Sequence, residues 1–84
     1  TLQQEVLNEK AWDIMAQVSR ARQKARDCGD DALALVYDDI ELQIAKLVPF
    51  ILSNESANVV ALGEIRGQLS GFQKLVETQL AKAA

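Results

Sequence analysis

The sequence predicts an all-α fold: three long helices in an up-down-up bundle, or an extended antiparallel array, completed by oligomerisation. Three observations predict it. Apolar residues recur at alternating spacings of three and four in three successive segments. Two short polar links separate those segments, and short links make sequential helices antiparallel neighbours. No stretch alternates apolar and polar residues as a half-buried strand does.

The first helix is expected over about residues 2–28. Leu7, Ala11, Ile14, Val18, Ala21 and Ala25 form its seam. The seam thins to alanine toward its end, so neighbours can come close there. Gly29 suits the C′ stop, where the left-handed conformation is favoured. Arg20, Arg22, Lys24 and Arg26 place positive charge near the C-terminus of the helix dipole.

The second helix is expected over about 31–52, with Asp30 or Asp31 as its cap. Leu33, Val36, Tyr37, Ile40, Ile44, Leu47 and Ile51 make its stripe. Pro49 lacks a donor and its ring clashes with the carbonyl of Ala45, so a kink or a stop is expected there. The apolar run Phe50-Ile51-Leu52 favours a kink, or a short final turn packed on the core. Ser53-Asn54-Glu55-Ser56 is the second link, with Asn54 or Ser56 as the next cap. The third helix is expected over about 57–81, with Leu62, Ile65, Leu69, Phe72, Val76 and Leu80 as its seam. The whole, residues 1–84, reads as one helical domain.

Each helix carries small or apolar residues on a second face. At about 100° per residue, Gly63, Gly67 and Gly71 lie opposite the third seam, with Val60 beside them. Each glycine costs about 1 kcal/mol relative to alanine in a helix interior. The strip therefore invites a close helix crossing, within the chain or between chains. Leu35 and Leu42 stand one heptad apart, opposite the second stripe, and Trp12 lies off the first seam. Trp12, Leu35, Leu42, Val60, Gly63, Gly67 and Gly71 are the expected interface, with a second copy crossing near Gly67. Trp12 is expected to be partly exposed in an isolated subunit.

Composition narrows the function. The chain has 84 residues, 49% of them hydrophobic and 5% aromatic, so a small core is built mainly from Leu, Ile, Val and Ala. Its net charge of −3 argues against nucleic acid or an anionic membrane as the main partner. No apolar run is long enough to span a membrane. No signal-peptide pattern opens the chain, and a cytoplasmic site is expected, in a bacterium or an infected host cell. The chain starts at Thr1 without Met and enters a helical pattern almost at once, which fits either processing or a trimmed start and leaves open whether residues precede Thr1.

No catalytic, cofactor-binding or metal-binding residue is assigned. Histidine, the commonest general base and metal ligand, is absent. Asp38, Asp39 and Glu41 are expected on different helical faces as solvated carboxylates. The basic run splits into Arg20 with Lys24 and Arg22 with Arg26, on different faces, so it makes a poor phosphate groove; Asp27, Asp30, Asp31 or a partner is expected to pair it. Cys28, the single cysteine, has basic neighbours but no second thiol, and is expected to be inert.

The stretch Leu62-Gly63-Glu64-Ile65-Arg66-Gly67-Gln68-Leu69, followed by Phe72-Gln73-Lys74-Leu75, resembles a helix of short proteins from tailed-bacteriophage structural gene clusters. The Leu-rich, proline-terminated ending associated with those proteins is missing here. The resemblance implies a viral accessory or virion-assembly role and carries over no catalytic residue. The leading expectation is a small helical assembly or adaptor protein that acts by helix packing. One alternative is a secretion-type chaperone or co-chaperone that shields a partner helix. Another is a small all-helical enzyme of chorismate mutase size, but the arginines do not converge as that site requires. A homo-oligomer or a helical protein partner is expected, with no cofactor, nucleic acid or membrane.

Overall fold

The structure, a computed structural model, describes residues 2–53 and 59–83. Three helices occupy them: α1 (Leu2–Asp27), α2 (Asp31–Ser53) and α3 (Val59–Ala83). They form an all-α three-helix bundle about 45 Å long. The expected caps Asn54 and Ser56, and the expected start of the third helix near 57, lie outside the described residues.

The α1–α2 connection shows how little sequence a reversal needs. Gly29 sits at φ 76° and ends α1. Its N–H donates to the Arg26 carbonyl at 3.0 Å, and the Asp30 N–H donates to the Ala25 carbonyl at 2.8 Å. This is the paired bonding of a Schellman stop. Asp30 then begins α2. Its Oδ1 accepts from the Leu33 N–H at 3.1 Å, and its carbonyl accepts from the Ala34 N–H at 3.1 Å. Of the two candidate caps, Asp30 takes the role, and Asp31 supplies negative charge in the first turn.

Cross-helix contacts fix the topology. Gln4 on α1 donates from Nε2 to the Ile51 carbonyl on α2 at 3.0 Å, and Arg22 reaches Asp38. Low numbers thus meet high ones, and the pair is antiparallel. Lys10 on α1 donates from Nζ to Ser70 Oγ on α3 at 3.2 Å. Ala21 and Lys24 share a cleft with Gln79 and Leu80 farther along. Numbers rise together, so α1 and α3 run parallel. The path is up-down-up, with α1 packed on both other helices and α2 and α3 meeting least.

The core is the meeting of the three seams. Leu7, Ala11, Ile14, Val18, Ala21 and Ala25 are all buried, as are Ile40, Ile44, Ile51, Leu62, Ile65, Leu69 and Val76. Leu47, Phe72 and Leu80 pack against this cluster while only partly buried. The α2 stripe needs one correction. Val36 is exposed and Ala34 is buried. Because α2 leans mainly on α1, its buried face is narrow and centres on Ala34, Tyr37, Ile40 and Ile44, which turns Val36 outward.

Pro49 does not end α2. The helix runs through it to Ser53. The turn beyond the proline is held from both sides: Ile51 is fully buried, and its carbonyl receives Gln4. That anchorage offsets the backbone bond that Pro49 cannot make.

Candidate functional site

The charged residues of α1 and α2 meet differently from the sequence expectation. Asp38 and Glu41 are three residues apart and share one side of α2. Between them lies the Arg22 guanidinium, which donates to Asp38 Oδ1 at 3.0 Å and to Glu41 Oε2. Arg26 Nη2 stands 3.9 Å from Asp38 Oδ2. The hydrogen bond to Glu41 is the main influence on Arg22. It outweighs the opposing effect of burial and holds the pKa above its ordinary value. The carboxylates are thus a clamp across the α1–α2 interface, not separate solvated groups. The described partners of Arg22 and Arg26 are Asp38 and Glu41, not Asp27, Asp30 or Asp31. The i, i+3 spacing of Asp38 and Glu41 was the available signal.

Among the clefts that open beside α1 are two large ones. The larger, about 580 Å³, is an open groove toward α3, with Glu9, Lys10, Asp13, Gln17 and Arg20 on one side and Gln73 on the other. Its charges alternate in sign, and it holds no converging acid–base pair. The smaller, about 210 Å³, lies where the end of α1, the start of α2 and the end of α3 meet. Ala21 and Ala25 leave the space, since the α1 seam has no large side chain there. Leu33 and Leu80 supply apolar wall, and Tyr37 closes it. Tyr37 is 1% exposed, and its hydroxyl has no hydrogen-bond partner among the described residues. Burial pushes its pKa up, and the charge of Asp30 pushes it further the same way. The phenol thus feels Asp30, which also lines the cleft. Among the described residues, no group of three acidic or cysteine side chains is placed to hold a metal. Cys28 is exposed at the helix junction.

The expected interface residues all lie outside the core. Trp12 is 55% exposed, Leu35 68%, Leu42 55% and Val60 70%. Gly63, Gly67 and Gly71 are exposed on α3, and a Cβ added at any of them would meet nothing within 4 Å. No helix of the same chain crosses the strip, so the within-chain crossing left open by the sequence is ruled out for the described residues. The seven residues stand on three helices, with Val60 and the glycines sharing the α3 side opposite Leu62, Ile65 and Leu69.

Sequence reasoning named Val60 as an interface residue but missed the apolar region at one end of the bundle to which it also belongs. Leu2, Val6, Phe50, Leu52, Val59 and Val60 are all exposed. They belong to the start of α1, the end of α2 and the start of α3, which the up-down-up path brings to one end of the bundle. Helical periodicity sorts residues by face and cannot show that three helix ends share a pole. No helix of the described residues is long and apolar enough to cross a membrane.

Comparison with known proteins finds a family match. The family model described as bacterial epsilon antitoxin matches residues 1–79. No curated protein and no solved structure matches the chain. The family match contains the whole of the Leu62–Leu75 stretch and overturns the bacteriophage resemblance drawn from it. That stretch is an amphipathic helix, and its apolar spacing is what any helix packed on a bundle requires. The expectations of a viral protein, virion assembly and a secretion-type chaperone fall with it. With 79 of its 84 residues inside the match, the chain belongs to the bacterial epsilon antitoxin family.

Proposed function

We propose that this chain is an antitoxin that neutralises a toxin protein by binding it, in the bacterial cytoplasm. The observation that carries this reading is the family match across residues 1–79. The surface supports a binding role. Eleven large apolar side chains stay exposed among the described residues, and six of them gather at one end of the bundle. Contiguous exposed apolar patches are characteristic of protein–protein contacts. We assign that end, Leu2, Val6, Phe50, Leu52 and Val59, to the toxin, with Val60 at the border between it and the glycine strip.

The glycine strip is assigned differently. Nothing in the chain approaches Gly63, Gly67 or Gly71, and three glycines in one helix carry a propensity cost. A helix of a second copy crossing near Gly67 would give that cost a return. Leu35, Leu42 and Trp12 would add apolar contact to the same assembly. Action by occupancy, with no turnover, is the mode assigned to the chain.

Co-expression with the cognate toxin tests the reading. The wild-type chain should restore growth of toxin-expressing cells and co-purify with the toxin. Val6→Glu and Phe50→Glu, both at exposed positions, should keep the circular dichroism of the wild type and lose rescue. Full rescue by both variants would exclude the bundle end as the toxin surface. Absence of rescue and of co-purification by the wild type would overturn the antitoxin reading itself.

A further inference from the structure

At the apolar end of the bundle a cleft of about 170 Å³ opens between α1 and α3, lined by Leu2, Gln3, Val6, Leu7 and Arg66. A cavity of about 150 Å³ accepts a benzene ring, so this one has room for a single side chain the size of leucine or phenylalanine. Leu7 is buried and forms the floor, while Leu2 and Val6 are exposed walls. Arg66 is the charged residue of the lining. It is exposed and makes no ion pair with a described residue. Glu5 stands about 100° or more around α1 from Gln3, Val6 and Leu7. Glu9 is one turn farther along and lines the neighbouring groove beside Lys10. The two clefts described above differ, because each has an acid in its lining: Glu9 and Asp13 in one, Asp30 in the other. Leu2 and Gln3 also belong to the first turn of α1, the positive end of its dipole. The cleft is thus apolar and positively charged, with nothing in its lining to neutralise it.

Resting on the assignment of this bundle end to the toxin, we propose that the cleft is the anchor of that contact. It takes one apolar side chain of the toxin, and Arg66 holds a toxin carboxylate beside it. A guanidinium can donate two parallel N–H bonds to a carboxylate, which fixes orientation as well as adding strength. Exposed apolar surface continues from Leu2 and Val6 to Phe50, Leu52 and Val59, farther than a small molecule covers, so the occupant is a protein surface. Closing that surface over the cleft takes Arg66 out of water, and a cation buried without a partner would weaken the contact. The carboxylate is therefore what makes the site selective. A surface of the same shape that offers a cation or an apolar group at that point is rejected.

The test is a calorimetric titration of the purified cognate toxin with the whole chain, at low and at high salt. Arg66→Gln, Arg66→Glu and Arg66→Lys change an exposed position and should keep the wild-type circular dichroism. Arg66→Gln should weaken binding about tenfold or more, as loss of a hydrogen bond to a charged group does. Its affinity should also depend less on salt than that of the wild type. Arg66→Glu should weaken binding further, and Arg66→Lys should weaken it least. Replacing the toxin's exposed Asp and Glu residues one at a time by Asn and Gln locates the partner. One such change should weaken binding to the wild-type chain and add little to the loss in Arg66→Gln. In nuclear magnetic resonance spectra of the complex, the Leu2, Val6 and Leu7 methyls should contact an apolar toxin side chain next to that carboxylate. Wild-type affinity in Arg66→Glu, no toxin carboxylate that couples to Arg66, or no toxin contact at the Leu7 methyls would each overturn the anchor and leave the antitoxin reading in place. A wild-type chain that binds no toxin would overturn both.

Discussion

Replacing Gly63, Gly67 and Gly71 together with alanine should stabilise the isolated chain. All three lie within α3, and a Cβ at each meets open space. No neighbour has to move, so the change acts through the backbone alone. Alanine restricts the unfolded chain and favours the helix by about 0.4–1 kcal/mol per site. The three side chains are one methyl each and do not crowd one another, so the gains add to about 1–3 kcal/mol. For a domain of this size, 1 kcal/mol moves the melting temperature by about 4–8 °C, so the triple variant should melt about 5–20 °C higher. Thermal circular dichroism across a dilution series, with light scattering to find the monomeric range, reads the effect. The gain should be full where the chain is monomeric and shrink where copies associate, since the added methyls hold crossing helices apart. Gly67→Leu should show the same opposition more strongly, with self-association lost and helicity unchanged or increased. A melting temperature that falls even in the monomeric range would refute the reasoning, because the strip would then be packed by the chain itself.

Other outcomes follow from the core, the clamp and the aromatic residues. Ile44→Ala and Leu69→Ala each empty a fully buried position and should cost about 2–5 kcal/mol in urea unfolding, enough to threaten folding of so small a domain. Arg22→Ala should cost only about 1 kcal/mol or less, since its carboxylate partners are a third or more exposed, and the loss should shrink in high salt. The raised pKa of Tyr37 means the folded state holds the phenol proton more tightly than the unfolded chain does. Stability from this source is therefore complete below the ordinary tyrosine pKa of about 10 and declines as pH rises past it. Tyr37→Phe should remove that part of the alkaline decline, and as the sole tyrosine its phenolate absorbance can be followed directly. Trp12, more than half exposed, should emit as a solvated indole in the free chain and shift to shorter wavelength on assembly; emission that stays fixed through dissociation would remove it from the interface.

Much of the fold was legible because helical seams repeat locally. The α1 seam from Leu7 to Ala25 could be read residue by residue, since one interval of three or four decides each position. Gly29 and the aspartates after it marked the turn for a local reason as well. Pro49 was harder, because its outcome depends on Ile51 being buried and on Gln4 reaching the Ile51 carbonyl, and both are tertiary facts. The same limit hid the Arg22 clamp and the apolar pole. Each depends on which helix ends and faces are brought together, which no single-helix pattern contains. The outward faces of Leu35, Leu42 and the glycine strip were visible in the spacing. What binds there was not, because exposure identifies a surface and not its occupant. A dozen residues of well-formed amphipathic helix around Gly67 carry no functional specificity, which is why they pointed to the wrong family.

The central claim is that the chain silences a toxin by occupying it. A titration of purified toxin with purified chain tests that most directly, with toxin activity and bound mass followed together. The account predicts that activity falls linearly with added chain and reaches zero at a fixed stoichiometric ratio, where all the chain elutes in the complex. Full loss of toxin activity at a small fraction of that ratio, or with no complex formed, would contradict it, because the chain would then be acting by turnover.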